Sequence, residues 1–246
     1  MNRQSTTKTV LLLTVCAALL AFASLAPVVR SQTPAGGSAQ DLVKQNVAVA
    51  KQAAADDQAA QKQYTWVERT TLSLKGEEKN VSLAQVNYDV YGKLQKTPLS
   101  ASPAPDKKFG LRGKIAESKT EDMKAYMEQV KALVGEYVPP SPTRMQEAAA
   151  AGRVALSIPR PDAVQLMFTD YARAGDRMAL VFDTATKKIR HIDISSALEN
   201  KDPVTMSVEF QTLPDSTHYA GVTTVDAPAK QVQVKVEQIN FQKTAR

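Results

Sequence analysis

Cysteine is almost absent from this chain. The single Cys16 lies inside an apolar N-terminal run, so everything after it must fold without disulfides and without thiolate metal sites. Histidine is nearly as scarce, with His191 and His218 only. That excludes an HExxH zinc helix, just as the cysteine count excludes a paired-cysteine zinc site. The GxSxG nucleophile elbow, the GxGxxG dinucleotide turn and the phosphate-binding P-loop are missing as well. Aromatic residues make up 6% of the chain, which leaves Val, Leu, Ile, Met and Ala to build a core. No long block of one charge sign occurs. The formal charge of +6 falls by three without Arg3, Lys8 and Arg30, and the remaining basic residues are scattered, so nucleic acid finds no footprint.

Among the features that are present, the N-terminus is the most explicit. Arg3 and Lys8 precede an uncharged apolar run over residues 10–26, with small residues at Ala21, Ala23, Ser24 and Ala26. This is the layout of a secretory signal peptide. Cleavage after Ala23 satisfies the small-x-small rule, and a site after Ser31 is the other possibility. An uncleaved anchor is the alternative, because the run approaches the ~20 residues that span a bilayer. Lipid attachment at Cys16 is rejected, since Val15 is bulky and the apolar run continues past it. The expectation is a periplasmic or secreted protein with residues 1–31 as signal peptide, residues 32–40 as flexible linker and residues 41–246 as a single α+β domain.

Residues 64–91 organise that domain. Tyr64, Trp66, Leu72 and Leu74 share one parity and Arg69, Thr71, Ser73 and Lys75 the other, as in a half-buried strand. After the turn at Lys75-Gly76-Glu77, the second run has apolar residues at odd positions (Val81, Leu83) and then at even ones (Val86, Tyr88, Val90). Either a bulge near Ala84 and Gln85 or a strand crossing between environments would produce this phase change. A curved antiparallel sheet is expected to start here. Residues 41–62 before it, with Leu42, Val43, Val47, Ala50 and Ala54 at helical spacing, predict a long helix with a small-residue stripe. Residues 94–97 predict a third short strand, and the proline-containing residues 100–106 a loop. The basic stretch containing Lys107, Lys108, Arg112 and Lys114 reads as a solvated loop, with a patch for anionic lipid or acidic partners as the alternative.

The strongest helical signal covers residues 120–137, where Met123, Tyr126, Met127, Val130, Leu133, Val134 and Tyr137 recur at steps of three and four. Ser118 with Glu121 has capping-box spacing, and Pro139-Pro140 stops the helix. Ser141-Pro142 then starts a second helix that Gly152 ends. This helical hairpin has no basic recognition face for DNA. The last third predicts strands at 153–158, 163–171, 177–183, 188–194, 203–213, 218–226 and 230–241. A parity slip between Val236 and Ile239 marks another bulge.

No catalytic set, metal set or cofactor motif emerges. Asp170, Asp176, Asp183 and Asp193 mostly flank turns, where Asp bonds its own backbone. Glu68 falls on the apolar parity of its strand, and His191 sits between Ile189 and Ile192, so either could be a polar handle in a cavity or a satisfied inward group. The Met and Tyr stripe of residues 120–137 is core by the general rule for helices, and it could also line an adaptable apolar pocket. Candidate ligand-binding residues are therefore Trp66, Glu68, Met123, Tyr126, Met127 and Phe210.

The order of elements, from export signal and N-terminal helix through aromatic hairpin and inserted helices to a long meander, resembles the half-barrel of the periplasmic lipoprotein-sorting carriers and the related stress-sensor regulatory domain. Residues Tyr64-Thr65-Trp66-Val67-Glu68 and Tyr91-Gly92-Lys93-Leu94-Gln95-Lys96-Thr97-Pro98 also look like a group of exported bacterial proteins with a similar order of segments. The resemblance implies a largely antiparallel curved sheet, half-barrel-like, with an N-terminal helix and an inserted helical hairpin packed on it. It also implies an apolar concave face that holds acyl chains. The function expected is a non-enzymatic periplasmic binding protein for an apolar ligand such as a lipid or lipoprotein acyl chain. The alternative is an envelope protein-interaction or structural protein with a filled core, and an enzyme is the third reading. Partners expected are a lipid or lipoprotein and an envelope protein, with no nucleic acid, and with membrane contact only transient or through an uncleaved signal.

Overall fold

A computed structural model describes residues 39–99 and 111–244, all within one compact unit that spans residues 34–246. The expected signal peptide, most of the expected linker, the loop expected at 100–106, and Lys107 and Lys108 lie outside the described residues. The element order is α1 (Ala39–Gln61), β1 (Tyr64–Leu74), β2 (Glu77–Tyr88), β3 (Leu94–Pro98), α2 (Leu111–Gly135) and α3 (Pro142–Ala150). There follow β4 (Val154–Arg160), β5 (Ala163–Thr169), β6 (Arg177–Asp183), β7 (Ile189–Ala197), β8 (Pro203–Thr212), β9 (His218–Ala227) and β10 (Val232–Lys243). All ten strands form one sheet in the order β3-β2-β1-β10-β9-β8-β7-β6-β5-β4. Every pairing is antiparallel, so the expected α+β class with a half-barrel-like sheet holds. Among the described residues no helix is long and apolar enough to cross a membrane.

Local chemistry explains the turns and bends. Lys75 and Gly76 both have positive φ, 58° and 77°, which is the two-residue hairpin turn whose twist matches its strands. The expected bulge near Ala84 and Gln85 is absent. Register runs unbroken from Trp66 opposite Val86 to Leu72 opposite Asn80, and the extra residue is Lys79. The apolar phase change instead arises because Val81 and Leu83 stand opposite Thr71 and Arg69, while Val86 stands opposite Trp66. The strand crosses environments, and odd and even side chains are covered in turn.

Four further register shifts bend the sheet, one of them in β4 between Ser157 and Arg160. Arg190 is the extra residue of β7, between the pairs Val181/His191 and Phe182/Ile189. Gly221 is the extra residue of β9, and a Cβ there would stand 2.5 Å from Gln211 Cδ, so a larger residue would have to displace the Gln211 side chain. In β10 the extra residue is Asn240, at φ 56°, between the pairs Val67/Ile239 and Thr65/Gln242. The last bulge lies a few residues beyond the slip expected between Val236 and Ile239. It brings Phe241 onto the indole of Trp66 with ring centroids 5.5 Å apart.

Helices α2 and α3 close the main core. Tyr126, Val130 and Leu133 of α2, Tyr137 just after it, and Met145, Ala148 and Ala149 of α3 are buried with Leu166, Phe168, Met178, Leu180, Ile192, Met206 and Val208 of the sheet. Each such large side chain contributes about 1.5–3 kcal/mol through burial. Tyr64, Trp66 and Val86 form a second, separate cluster with Tyr88, Leu213 and Phe241. Helix α2 begins at Leu111, nine residues before its expected start, so Arg112 and Lys114 are helical and not part of a loop. Gly110 stands directly before the helix and Gly113 inside its first turn, which a long helix tolerates, and Ser118 is consequently interior rather than a cap. Ser141 does cap α3, accepting from the Arg144 amide, with Pro142 in the first turn.

Candidate functional site

The helix-bearing side of the sheet is filled in one part and open in another. Beneath α2, the space among Leu133, Val134, Tyr137, Ile194, Ser196, Val204 and Met206 amounts to 10 Å³, too little for a ligand. Beneath the C-terminal half of α1 there is a cleft of 480 Å³. Its apolar lining includes Ala53, Ala54, Tyr88, Pro139, Phe210 and Ala220, and its polar lining includes Asp57, Gln61, Lys188, His218 and Gln238. That volume is in the range of small-molecule sites, and the chemistry, mostly apolar with a few convergent polar groups, is typical of them.

Each wall has a local cause. The alanines of α1 keep the helix slim enough to leave space between it and the sheet. Asp57, 9% exposed, fastens the helix by accepting from Lys188 Nζ at 2.8 Å and from the His218 amide at 2.9 Å. Gln61 Nε2 donates to the His218 carbonyl at 2.7 Å. The Phe210 ring stacks on the His218 imidazole at 5.2 Å, and His218 Nε2 lies 2.5 Å from the Ile189 carbonyl oxygen, so this ring pair is held from both sides. Gln238 is different. It lines the cleft, and its buried Oε1 has no hydrogen-bond partner among the described residues. An unpaired buried acceptor costs about 1–3 kcal/mol, so a donor reaching it in the cleft, from water or from a ligand, is stabilising.

Pro139, on the opposite wall, is positioned by a polar cluster at the end of α2. Asp176, 3% exposed, accepts from the amides of Tyr171 (2.6 Å), Ala172 (2.9 Å) and Arg173 (2.8 Å) and from the Tyr137 hydroxyl (2.5 Å). Burial, reinforced by this carboxylate, raises the Tyr137 phenol above its ordinary 10.0. Arg173 pairs with Glu136, and the Ser141 amide donates to the Tyr171 hydroxyl at 2.6 Å. The link between α2 and α3 is thus tied to the β5–β6 turn.

A second, polar groove of 930 Å³ adjoins the cleft and shares Lys188, Phe210 and His218 with it. Arg160, Arg190, His191, Asp193 and Glu209 also line it. His191 Nε2 lies 2.7 Å from Asp193 Oδ2, and Nδ1 lies 2.9 Å from Glu209 Oε1 but off the direction a hydrogen bond needs. Both carboxylates are more than half exposed, so these contacts carry little energy. Arg190 bridges Asp162 and Asp183. The Asp183 carboxyl is pulled down to about 2, first by the Thr186 amide and then by Arg190. Among the described residues no three His, Cys, Asp or Glu side chains converge as a metal site needs.

The six candidate residues from the sequence fall in different places. Phe210 lines the cleft. Trp66 is 4% exposed in the second cluster, stacked on Phe241 and tilted against Tyr88, with its indole N–H unpartnered among the described residues. Tyr126 is buried in the main core, where burial raises its phenol, and Met123 and Met127 pack against that core. Glu68 is satisfied by Lys96 Nζ at 2.6 Å, across β2. The cleft therefore gathers one of the six, together with residues that sequence patterns passed over. Gln238 had a usable signal, because it continues the parity of Val232, Val234 and Val236 and stands opposite Glu68. The alanines and Asp57 of α1 had none, since helical periodicity does not say which small face stays unfilled.

No protein-family model matches the sequence, and no curated protein does. Among solved structures, a DUF1329 family protein from Desulfovibrio piger is similar at 9% identity and a TM-score of 0.38, over 82% of this chain and 93% of that one. A LolA superfamily protein from Nitrosomonas europaea is similar at 7% identity and a TM-score of 0.35, over 80% and 94%. A domain described as an outer membrane lipoprotein-sorting protein, from Vibrio parahaemolyticus, is similar at 8% identity and a TM-score of 0.35, over 82% and 94%.

Proposed function

We propose that this is a non-enzymatic periplasmic binding protein whose ligand is an amphiphile, with a lipid or lipoprotein acyl chain as its apolar part. The observation behind the reading is the cleft beneath α1: a mostly apolar space of 480 Å³ in which the Gln238 Oε1 acceptor has no donor among the described residues. A chain in the cleft covers Ala54, Phe210 and Ala220, and a hydroxyl or amide near its end satisfies Gln238. The rest of the polar end emerges past Lys188 and His218 into the adjoining groove. The six residues taken from the sequence keep distinct parts in this reading. Phe210 contacts ligand, while Trp66, Glu68, Met123, Tyr126 and Met127 support the walls.

The test is native mass spectrometry of the protein exported to a bacterial periplasm, followed by solvent extraction and lipid analysis, with Ala54→Trp as the blocking variant. The expected result is an added mass matching an acyl lipid, with uptake of a fluorescent fatty acid reduced at least about tenfold in the variant, the loss of ~1.4 kcal/mol or more of binding. A bare polypeptide mass with no uptake refutes it. That outcome favours the second reading, an envelope protein-interaction module, for which the filled interior beneath α2 and the position of β4 at the edge of the sheet are the supporting features. Pro159 and Arg160 blunt that edge against strand pairing, so it ranks second.

A further inference from the structure

The β2–β3 turn carries the two most exposed large apolar side chains among the described residues, Val90 at 94% and Tyr91 at 93%. A floppy loop would explain such exposure, but this turn is held at several points. Asp89 Oδ1 accepts from the amides of Tyr91 and Lys93, both at 2.9 Å, and its Oδ2 accepts from Gln95 Nε2 at 2.9 Å. The Asp89 amide donates to the Lys93 carbonyl, the Gly92 amide returns to the Asp89 carbonyl, and Gly92 takes the positive φ of 76° that the reversal requires. These bonds hold the Asp89 carboxyl below its ordinary 3.8, the Lys93 amide first, so it stays ionised with its oxygens turned back onto the turn. Against that one negative charge stand two lysines at the tip. Lys93 is exposed, and the Nζ of exposed Lys62 lies 3.4 Å from where a Cβ on Gly92 would stand. Leu94, at the start of β3, adds a further side chain 41% exposed.

A rigid tip with a tyrosine and a β-branched residue in water, collared by lysines, matches one environment well. At a bilayer surface the apolar groups enter the headgroup boundary, tyrosine has an apolar body and a wet end, and lysines reach the lipid phosphates. We infer that residues 89–93 form a membrane-surface anchor, in which Val90 and Tyr91 insert into an anionic bilayer and Lys62 and Lys93 contact its phosphates. The anchor is independent of the ligand reading, although it stands at the rim of the cleft, where Gln61 and Tyr88 line the wall directly before Lys62 and Asp89. With two side chains and two lysines the contact is weak and reversible.

The test uses the full chain with Tyr91→Trp and phosphatidylglycerol vesicles. Because residues 10–26 can hold the chain on vesicles by themselves, the readout must be local to the tip. Trp66 is the natural chain's single tryptophan and is buried, so it supplies a constant background. The expected result is a blue shift of the added tryptophan and its quenching by brominated acyl chains. Both effects should be absent with purely phosphatidylcholine vesicles and reversed in about 1 M salt, where screening acts within about 3 Å. Lys62→Glu and Lys93→Glu in the same background each raise the lipid concentration for half-maximal shift at least about fivefold, from the loss of one lysine near the surface. Unchanged emission while the chain sediments with vesicles overturns the inference, because the contact then lies elsewhere. An equal shift on zwitterionic vesicles overturns it too, as does a shift produced by a periplasmic protein fraction and not by vesicles.

Discussion

Tyr137→Phe removes one hydroxyl and leaves the ring, its burial and its packing in place, so the change isolates the bond to Asp176. The phenol has a single proton, and the 2.5 Å contact gives it to the buried carboxylate, with the Ser196 hydroxyl at 2.8 Å as the second neighbour of the oxygen. After the substitution Asp176 keeps three backbone amides but loses its only side-chain donor among them. A hydrogen bond to a charged group is worth about 1.5–3 kcal/mol net, so a loss of about 2 kcal/mol is expected. For a chain of this size that is a fall in Tm of about 4–8 °C. Urea denaturation followed by circular dichroism measures it, with the slope unchanged and the midpoint lowered. The alkaline limb provides a second readout. The folded phenol is raised above 10.0, so its contribution to stability is complete below pH 10 and is lost as pH rises towards the folded value. The variant should therefore lose less stability above pH 10 than the natural chain. A Tm within 1 °C of the natural chain, with identical alkaline limbs, would refute the claim that this bond anchors α2.

Three other perturbations test the site's supports. Asp57→Ala strips the acceptor from Lys188 Nζ and the His218 amide and should raise hydrogen exchange of α1 about thirtyfold, from a loss of about 2 kcal/mol, with the main core unaffected; uniform exchange would argue against this anchor. Asn240→Val forces a β-branched side chain to φ 56° at a cost of about 1–2 kcal/mol, while Asn240→Gly is neutral or better. Trp66 emission should shift red in the valine variant as Phe241 leaves the indole, and unchanged emission would show that the bulge does not place that ring. Acid sensitivity follows from carboxyls held low in the fold. Asp183 sits at about 2, and Asp215 is also lowered, first by the Tyr64 hydroxyl, so their contributions are complete above about pH 4 and lost as pH falls towards 2. Asp183→Asn should flatten that limb in a pH series of denaturation midpoints, and parallel limbs would contradict it.

The elements themselves were legible because their causes are local. The Lys75-Gly76 turn, the Ser141-Pro142 helix start and the alternation of Val204, Met206, Val208 and Phe210 each depend on residues within a few positions of one another. Strand boundaries in the last third came out within about three residues for the same reason. Errors arose where a local rule met a longer one. The capping spacing of Ser118 and Glu121 lost to a helix already running from Leu111, while of the two readings of the phase change in β2 the structure has the strand that crosses environments and not the bulge.

The site was legible only in part, and the reason is physical. A hydrophobic stripe states that a helix face is covered, but whether the cover is complete depends on side chains far apart in the sequence, 157 and 161 positions for the α1 contacts to His218. Met123 and Tyr126 of α2 meet a filled interior, whereas Ala53 and Ala54 of α1 leave a cleft against Phe210 and Ala220. Sequence alone settled the alternation that makes a sheet, the prolines that bound the helices, and the lack of any cysteine beyond the N-terminal run. Tertiary structure decided the pairing of β1 with β10, the bulges at Arg190, Gly221 and Asn240 that bend the sheet, and the docking of α1 through Asp57. Those features come from contacts between distant segments, and such contacts exist only once the chain has closed its loops and the helices have competed for the same face of the sheet.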